Sequence, residues 1–185
     1  MRIGVLGGSF DPPHQAHLFA ACYAVTSGCV DRVLLIPVFE HPFDKPLSAY
    51  EQRVAMCRLA LQPLGDRFGV SEIERELGGV SYTVRTLQQL AADRPGDELA
   101  LVIGSDALAE REEWKDFERI RELAELVVLQ RQGAAAVPEG ERVLPVVLPE
   151  ISSTMIRERV ARGESIEGLV PRAVAEYIVE QGMYR

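Results

Sequence analysis

Residues 2–17 read Arg2-Ile3-Gly4-Val5-Leu6-Gly7-Gly8-Ser9-Phe10-Asp11-Pro12-Pro13-His14-Gln15-Ala16-His17. A short apolar run broken by glycines and then by prolines is the pattern of a buried strand ending in a loop. An alanine-rich stretch from His14 to Ser27 follows, closed by Gly28, and predicts a helix. Strand, glycine turn and helix in that order open a doubly wound α/β domain, in which ligands bind beyond the carboxyl ends of the strands.

The rest of the chain keeps the alternation. Arg32–Val38 predicts a second strand stopped by prolines. Ser48, with Glu51 at capping-box spacing, predicts the N-cap of a helix running to Leu61. Strands are expected near Phe68–Ser71, over Glu98–Gly104, over Leu126–Gln130 and over Arg142–Leu148. Helices are expected over Ser81–Ala92, in the acidic stretch from Trp114 to Leu123, and over Ser153–Arg162 and Pro171–Gln181, with Pro171 at the first helical position. Strands alternating with helices predict a parallel sheet covered on both faces, with C-terminal helices. In that arrangement Gly7–His17, Pro37–Pro46, Gly104–Asp106 and Arg131 all follow strands and gather at one sheet edge.

A length of 185 residues suits one domain, able to bury a sizeable core without staples. Acidic residues outnumber basic ones by 28 to 20, for a net charge of −8, which argues against a nucleic-acid partner. A small anionic ligand needs only a local positive site. Cys22, Cys29 and Cys57 form no CxxC pair, so neither a disulfide framework nor a structural zinc site is expected. The sequence shows no membrane-length apolar run and no signal-peptide core before Asp11, so a cytoplasmic protein with no membrane partner is expected. It leaves a homo-oligomer open.

The chemistry concentrates in two segments. In the first, Gly7 and Gly8 let main-chain amides approach a phosphate without an intervening side chain. The helix start aims its N–H groups at the same place. His14 and His17 stand at i and i+3 and share a face of the first turn. The plainer reading is a tight strand–helix turn whose histidines bond locally. Two histidines are too few for zinc, and His41 is the only other one. There is no GxxxxGK[ST], and glycines at 4, 7 and 8 do not make GxGxxG. The second strand ends in Pro37-Val38 rather than in an acid that could hold a ribose hydroxyl, which disfavours a dinucleotide cofactor.

The second segment is Glu150-Ile151-Ser152-Ser153-Thr154-Met155-Ile156-Arg157. Hydroxyl residues at a helix start leave amides for an anion, and Arg157 falls one turn in, on the same side, as a fork suited to phosphate oxygens. The plainer reading is an N-cap followed by a solvated arginine.

GGSFDPPHQAH followed by ISSTMIR resembles the bacterial nicotinate-mononucleotide adenylyltransferases, members of the nucleotidyltransferase superfamily with a [TH]xxH element after the first strand. The resemblance extends through Ser81-Tyr82-Thr83, Ile103-Gly104-Ser105-Asp106, the lone Trp114, Leu126–Arg131 and the ending Gly182-Met183-Tyr184-Arg185, and so covers the whole chain. It implies one nucleotidyltransferase domain that joins ATP and nicotinate mononucleotide into deamido-NAD and pyrophosphate, with Mg2+. By the same resemblance Gly7, Gly8, Ser9, Phe10, His14 and His17 would hold ATP from one side, and Ser152, Ser153, Thr154 and Arg157 from the other. His14, His17 and Arg157 would be the catalytic groups. Lys45, Tyr82, Thr83, Gly104, Asp106, Trp114 and Arg131 would bind the mononucleotide. Read without the family, Trp114 and Tyr82 could equally be core and Asp106 a helix cap. Ala16 stands where the family usually has glycine. In the loop after the second strand, Lys45 matches a basic family position, Asp44 precedes it and the histidine lies at 41. Lys45 is expected to reach the phosphates and Asp44 to point outward. The rival readings are an adenylyltransferase for nicotinamide mononucleotide or phosphopantetheine, and a non-catalytic nucleotide-binding module.

Overall fold

Alternate residues of each strand enter opposite layers, and this period of two builds the architecture. In β1 (Arg2–Gly8), Ile3 and Val5 join one core and Leu6 the other. In β2 (Arg32–Pro37), Leu34 and Ile36 join the first, Val33 and Leu35 the second. The computed structural model describes residues 1–43, 46–131 and 142–185, apart from the side chains of Arg131 and Pro145. Asp44 and Lys45, whose loop contacts the sequence anticipates, lie outside the described residues.

Among the described residues six strands make one parallel sheet, in the order β3-β2-β1-β4-β5-β6. The remaining strands are β3 (Phe68–Val70), β4 (Glu98–Gly104), β5 (Glu125–Arg131) and β6 (Arg142–Leu148). On one face lie α1 (Gln15–Thr26), α2 (Tyr50–Leu61), α7 (Ser153–Ala161) and α8 (Arg172–Glu180). On the other lie α3 (Ile73–Leu77), α4 (Thr83–Asp93), α5 (Ser105–Ala109) and α6 (Phe117–Leu123). The chain reverses its direction of travel across the sheet between β1 and β4, and the crevice above that switch is where such sheets take ligands.

The doubly wound sheet is the expected one, and the differences from expectation are local. Ser48 is not the N-cap of α2; Ala49 is, without a side-chain bond. Tertiary partners hold Ser48 outside the helix: its N–H donates to Asp11 Oδ2 at 3.0 Å, and its carbonyl accepts from Arg53 Nε at 3.0 Å. Pro171 sits one residue before α8, because its ψ of 146° is extended. Trp114 is not helical either. It lies at φ −80°, ψ 129° between a single 3-10 turn (Arg111–Glu113) and α6. The short helices α3 and α5 fall below the length at which periodicity can be read.

Candidate active site

The loop after β1 is set by hydrogen bonds to its own carbonyls. Ser9 O accepts from Arg53 Nη1 at 2.9 Å, Asp11 O from Arg157 Nη1 at 2.8 Å, and Pro12 O from Ser153 Oγ at 2.9 Å. In the trans peptide between Ser9 and Phe10, C=O and N–H point opposite ways, so turning Ser9 O to Arg53 turns Phe10 N–H away from it. Phe10 takes φ 47°, in the left-handed region that costs a non-glycine residue about 1–2 kcal/mol. Its ring is buried, so Phe10 offers a ligand only its main chain. A Cβ on Gly7 would meet no atom within 4 Å, whereas one on Gly8 would press on the Phe10 ring at 3.2 Å. The space beside Gly7 is thus open for a ligand, and Gly8 serves close packing.

His14 is the N-cap of α1 and is buried; His17, one turn on, is half-buried. Their rings stack at 3.7 Å between centroids, and the Phe10 ring meets His17 edge-on at 4.8 Å. His14 N–H donates to His17 Nδ1 at 3.2 Å. That bond assigns the His17 proton to Nε2, leaving Nε2–H as an oriented donor. Of the two histidines, His17 is the one presented at the surface.

The second segment meets the first, as the family resemblance implies. Ser152 caps α7 by accepting from Met155 N–H at 3.1 Å. Besides its bond to Asp11 O, Arg157 donates through Nη2 to Thr154 Oγ1 at 3.3 Å. The N-termini of α1 and α7 therefore lie on either side of one loop, and their dipole ends favour negative charge there.

Beneath the loop is a buried network that sequence reasoning missed. Asp11 is 2% exposed and accepts from Tyr184 Oη at 2.6 Å as well as from Ser48 N–H. Arg53 is 1% exposed. Burial lowers the pKa of its guanidinium, an effect that the Asp11 charge opposes. Burial and the Asp11 carboxylate both push the Tyr184 phenol up. One signal was present: Arg53 stands among Tyr50, Val54, Cys57 and Leu61, on the buried stripe of α2.

Next to the loop a cavity of about 520 Å³ opens between the carboxyl ends of β1, β2 and β4 and the start of α4. Gly7, Gly8, Ser9, Tyr82, Thr83 and Trp114 all line it. The α4 ladder begins with Arg85 and Thr86 N–H on Tyr82 O, so Thr83 N–H precedes it at the mouth of the helix. Trp114 gives its own main-chain N–H to Arg111 O at 3.1 Å, and its indole lies edge-on to Phe117 at 6.1 Å. Lys115 Nζ sits 4.3 Å over the Tyr82 ring. Gly104 and Asp106 do not line this cavity. Gly104 is the N-cap of α5, and Asp106 is exposed in the first turn of that helix, favourable to its dipole. Arg131 ends β5, beside the β-strand edge where the sequence put it. A second cavity of about 800 Å³, lined by Val160, Ile166, Ile178 and Met183 among others, holds none of the catalytic or binding residues expected from the sequence.

A parallel sheet with a glycine turn, paired histidines and two helix N-termini at its switch point makes a site suited to an anionic ligand. The cytidylyltransferase-like family model matches residues 5–159. Two relatives bear the name nicotinate-nucleotide adenylyltransferase. The one from Anaeromyxobacter dehalogenans is 46% identical over 187 residues, covering 100% of this chain and 97% of its own. The one from Thermus thermophilus is 43% identical, with 100% of both chains covered. The solved Plasmodium falciparum nicotinic acid mononucleotide adenylyltransferase, complexed with NaAD, shares the fold at TM-score 0.82 and 17% identity, over 99% of this chain and 97% of that one. The chain belongs to the nicotinate-nucleotide adenylyltransferase family, within the cytidylyltransferase-like proteins.

Proposed function

We infer that the protein transfers the adenylyl group of ATP to nicotinate mononucleotide, a step of NAD biosynthesis. A phosphate oxygen of the mononucleotide attacks the α-phosphorus of ATP. The new P–O bond makes deamido-NAD, and the bond to the β-phosphate bridging oxygen breaks to release pyrophosphate. The observation that carries this reading is a shared wall: Gly7, Gly8 and Ser9 belong both to the anion loop and to the lining of the Tyr82–Trp114 cavity. In-line transfer needs the two substrates to meet at such a wall.

The nucleophile needs no general base. With a second pKa of about 6, the mononucleotide phosphate is mostly dianionic at neutral pH. The remaining work is positioning and charge stabilisation. His17 Nε2–H, the N-termini of α1 and α7, and the N–H groups of Arg157 not spent on Asp11 and Thr154 would contact the ATP phosphates. Buried His14 acts by holding the His17 ring through the stack and the Nδ1 bond. Ser152, Ser153 and Thr154 set the start of α7. Tyr82, Thr83 and Trp114 would take the mononucleotide; Gly104 and Asp106, outside the cavity lining, and Lys45 and Arg131 belong to the proposed set on the family resemblance alone. Mg2+ fits as a partner of ATP. The described residues offer no group of three His, Cys, Asp or Glu to cage it, so phosphate oxygens and water are its proposed ligands. There it would neutralise charge on the departing pyrophosphate. Among the described residues no helix is long and apolar enough to cross a membrane.

The acid substrate is favoured by donors. Two or more N–H donors around the group, that of Thr83 among them, would pair with both carboxylate oxygens, whereas the amide offers one oxygen and turns its NH2 against the other donor. The test is pyrophosphate release from ATP with nicotinate, nicotinamide and phosphopantetheine substrates in parallel. The expected result is the highest kcat/KM with nicotinate mononucleotide. Equal use of acid and amide would overturn the specificity, turnover of phosphopantetheine the pocket assignment, and no release at all the enzymatic reading.

Trp114→Ala should weaken the mononucleotide by about 1–3 kcal/mol, the range for base–aromatic stacking, with ATP affinity nearly unchanged. Trp114 is the lone tryptophan, so its fluorescence reports the site directly. Fluorescence indifferent to saturating mononucleotide would sink the stacking role.

A further inference from the structure

Glu74, the second residue of α3, is a buried carboxylate in the lining of the same cavity, and the mechanism above does not use it. Thr86 Oγ1 donates to Oε1 at 2.9 Å, and Phe39 N–H donates to Oε2 at 3.2 Å. The Ser81 hydroxyl is a third partner. Burial pushes the Glu74 pKa up, and these bonds oppose that shift. Ser81 Oγ in turn accepts from Phe39 N–H at 3.0 Å and Glu40 N–H at 3.3 Å, while Ser81 N–H donates to Glu40 O at 2.9 Å.

Three segments thus converge on one carboxylate: the loop leaving β2, helix α3 and the start of α4. The loop continues to His41, Pro42 and Phe43 on one wall of the cavity, and α4 carries Tyr82 and Thr83 on another. The hydrogen-bond partners of Glu74 all lie on these two segments, and none is in the loop after β1. The geometry points to Glu74 as a positioning residue for the mononucleotide: it clamps the mouth of α4 against the loop after β2 and so fixes the direction of Thr83 N–H. This rests on the reading of the cavity as the mononucleotide pocket.

A carboxylate accepts from all three donors at once. Methionine at position 74 has similar length and accepts nothing comparable. Glutamine keeps one oxygen, and Thr86 Oγ1 has a fallback partner in Tyr82 O at 3.4 Å. The variants should therefore be graded. Glu74→Met should raise the KM for nicotinate mononucleotide about tenfold, the scale of a lost charged hydrogen bond, and Glu74→Gln only a few-fold. The KM for ATP should stay within about twofold in both. Thr86→Val, which removes the donor and keeps the shape, should reproduce part of the rise, and Thr86→Ser should restore the wild-type value. The Thr86 pair keeps the test open should Glu74→Met fail to fold.

Steady-state kinetics with each substrate varied, beside thermal melts of every variant, decides the matter. An unchanged or lower mononucleotide KM in Glu74→Met and Thr86→Val overturns the inference, as does an equal rise in the KM for ATP. A fall in Tm with the mononucleotide KM intact also overturns it, leaving a purely structural carboxylate. Wild-type turnover of nicotinate mononucleotide is the separate control: its absence fails the functional reading itself.

Discussion

His17→Ala is expected to lower kcat by about two to three orders of magnitude, the cost of removing one preorganised donor from a charge-stabilising site. The size follows from how firmly the ring is held. His14 N–H fixes Nδ1 as the acceptor, the His14 ring stacks on one face, and Phe10 packs edge-on. On the proposed role, Nε2–H would be aimed before ATP arrives and would need little reorganisation as charge moves onto the pyrophosphate. A donor of this kind acts most strongly in the transition state, so kcat should fall more than the KM for ATP rises. Steady-state pyrophosphate release by wild type and variant measures both. A loss confined to KM, or near-normal activity, would remove His17 from the transition state.

Arg53→Ala is expected to cost about 2–4 kcal/mol of folding stability, the scale for removing a buried charged donor from two carbonyls and a nearby carboxylate. Three groups would lose their complement together. Ser9 O and Ser48 O would each lose a donor, and the buried Asp11 carboxylate would lose the nearby guanidinium charge. Tyr184 Oη and Ser48 N–H would still bond Asp11, but as neutral dipoles. Urea unfolding of the two proteins gives the difference. Arg53→Lys should recover only part of it, because an ammonium cannot span Ser9 O and Ser48 O as a planar fork does. A loss under about 1 kcal/mol would show that the network adds little to stability.

The sequence by itself determined the doubly wound parallel sheet and the place of its ligand edge. Short continuous apolar runs such as ELALVIG, glycines after β1 and a hydroxyl-rich start to α7 are local signals, and each reports on residues within one turn or one strand. The same locality made the pairing of His14 with His17 legible, since i and i+3 meet on any helix. Tyr82, Thr83 and Trp114 became candidates for one pocket only through the family resemblance, because local pattern reads them equally well as core or helix start. Only the tertiary structure decided which candidates line the cavity or reach the surface. Phe10 turned inward while His17 stayed at the surface, and Asp106 fell outside the cavity that Trp114 lines. It alone supplied the buried polar supports. Tyr184 reaches Asp11 across 173 positions, Arg53 reaches Ser9 across 44, and Glu74 reaches Phe39 across 35. No propensity or period encodes such pairs. Their carboxylates and guanidinium tolerate burial only because the strand order delivers a matching donor or acceptor to each, and that delivery is a property of the folded chain.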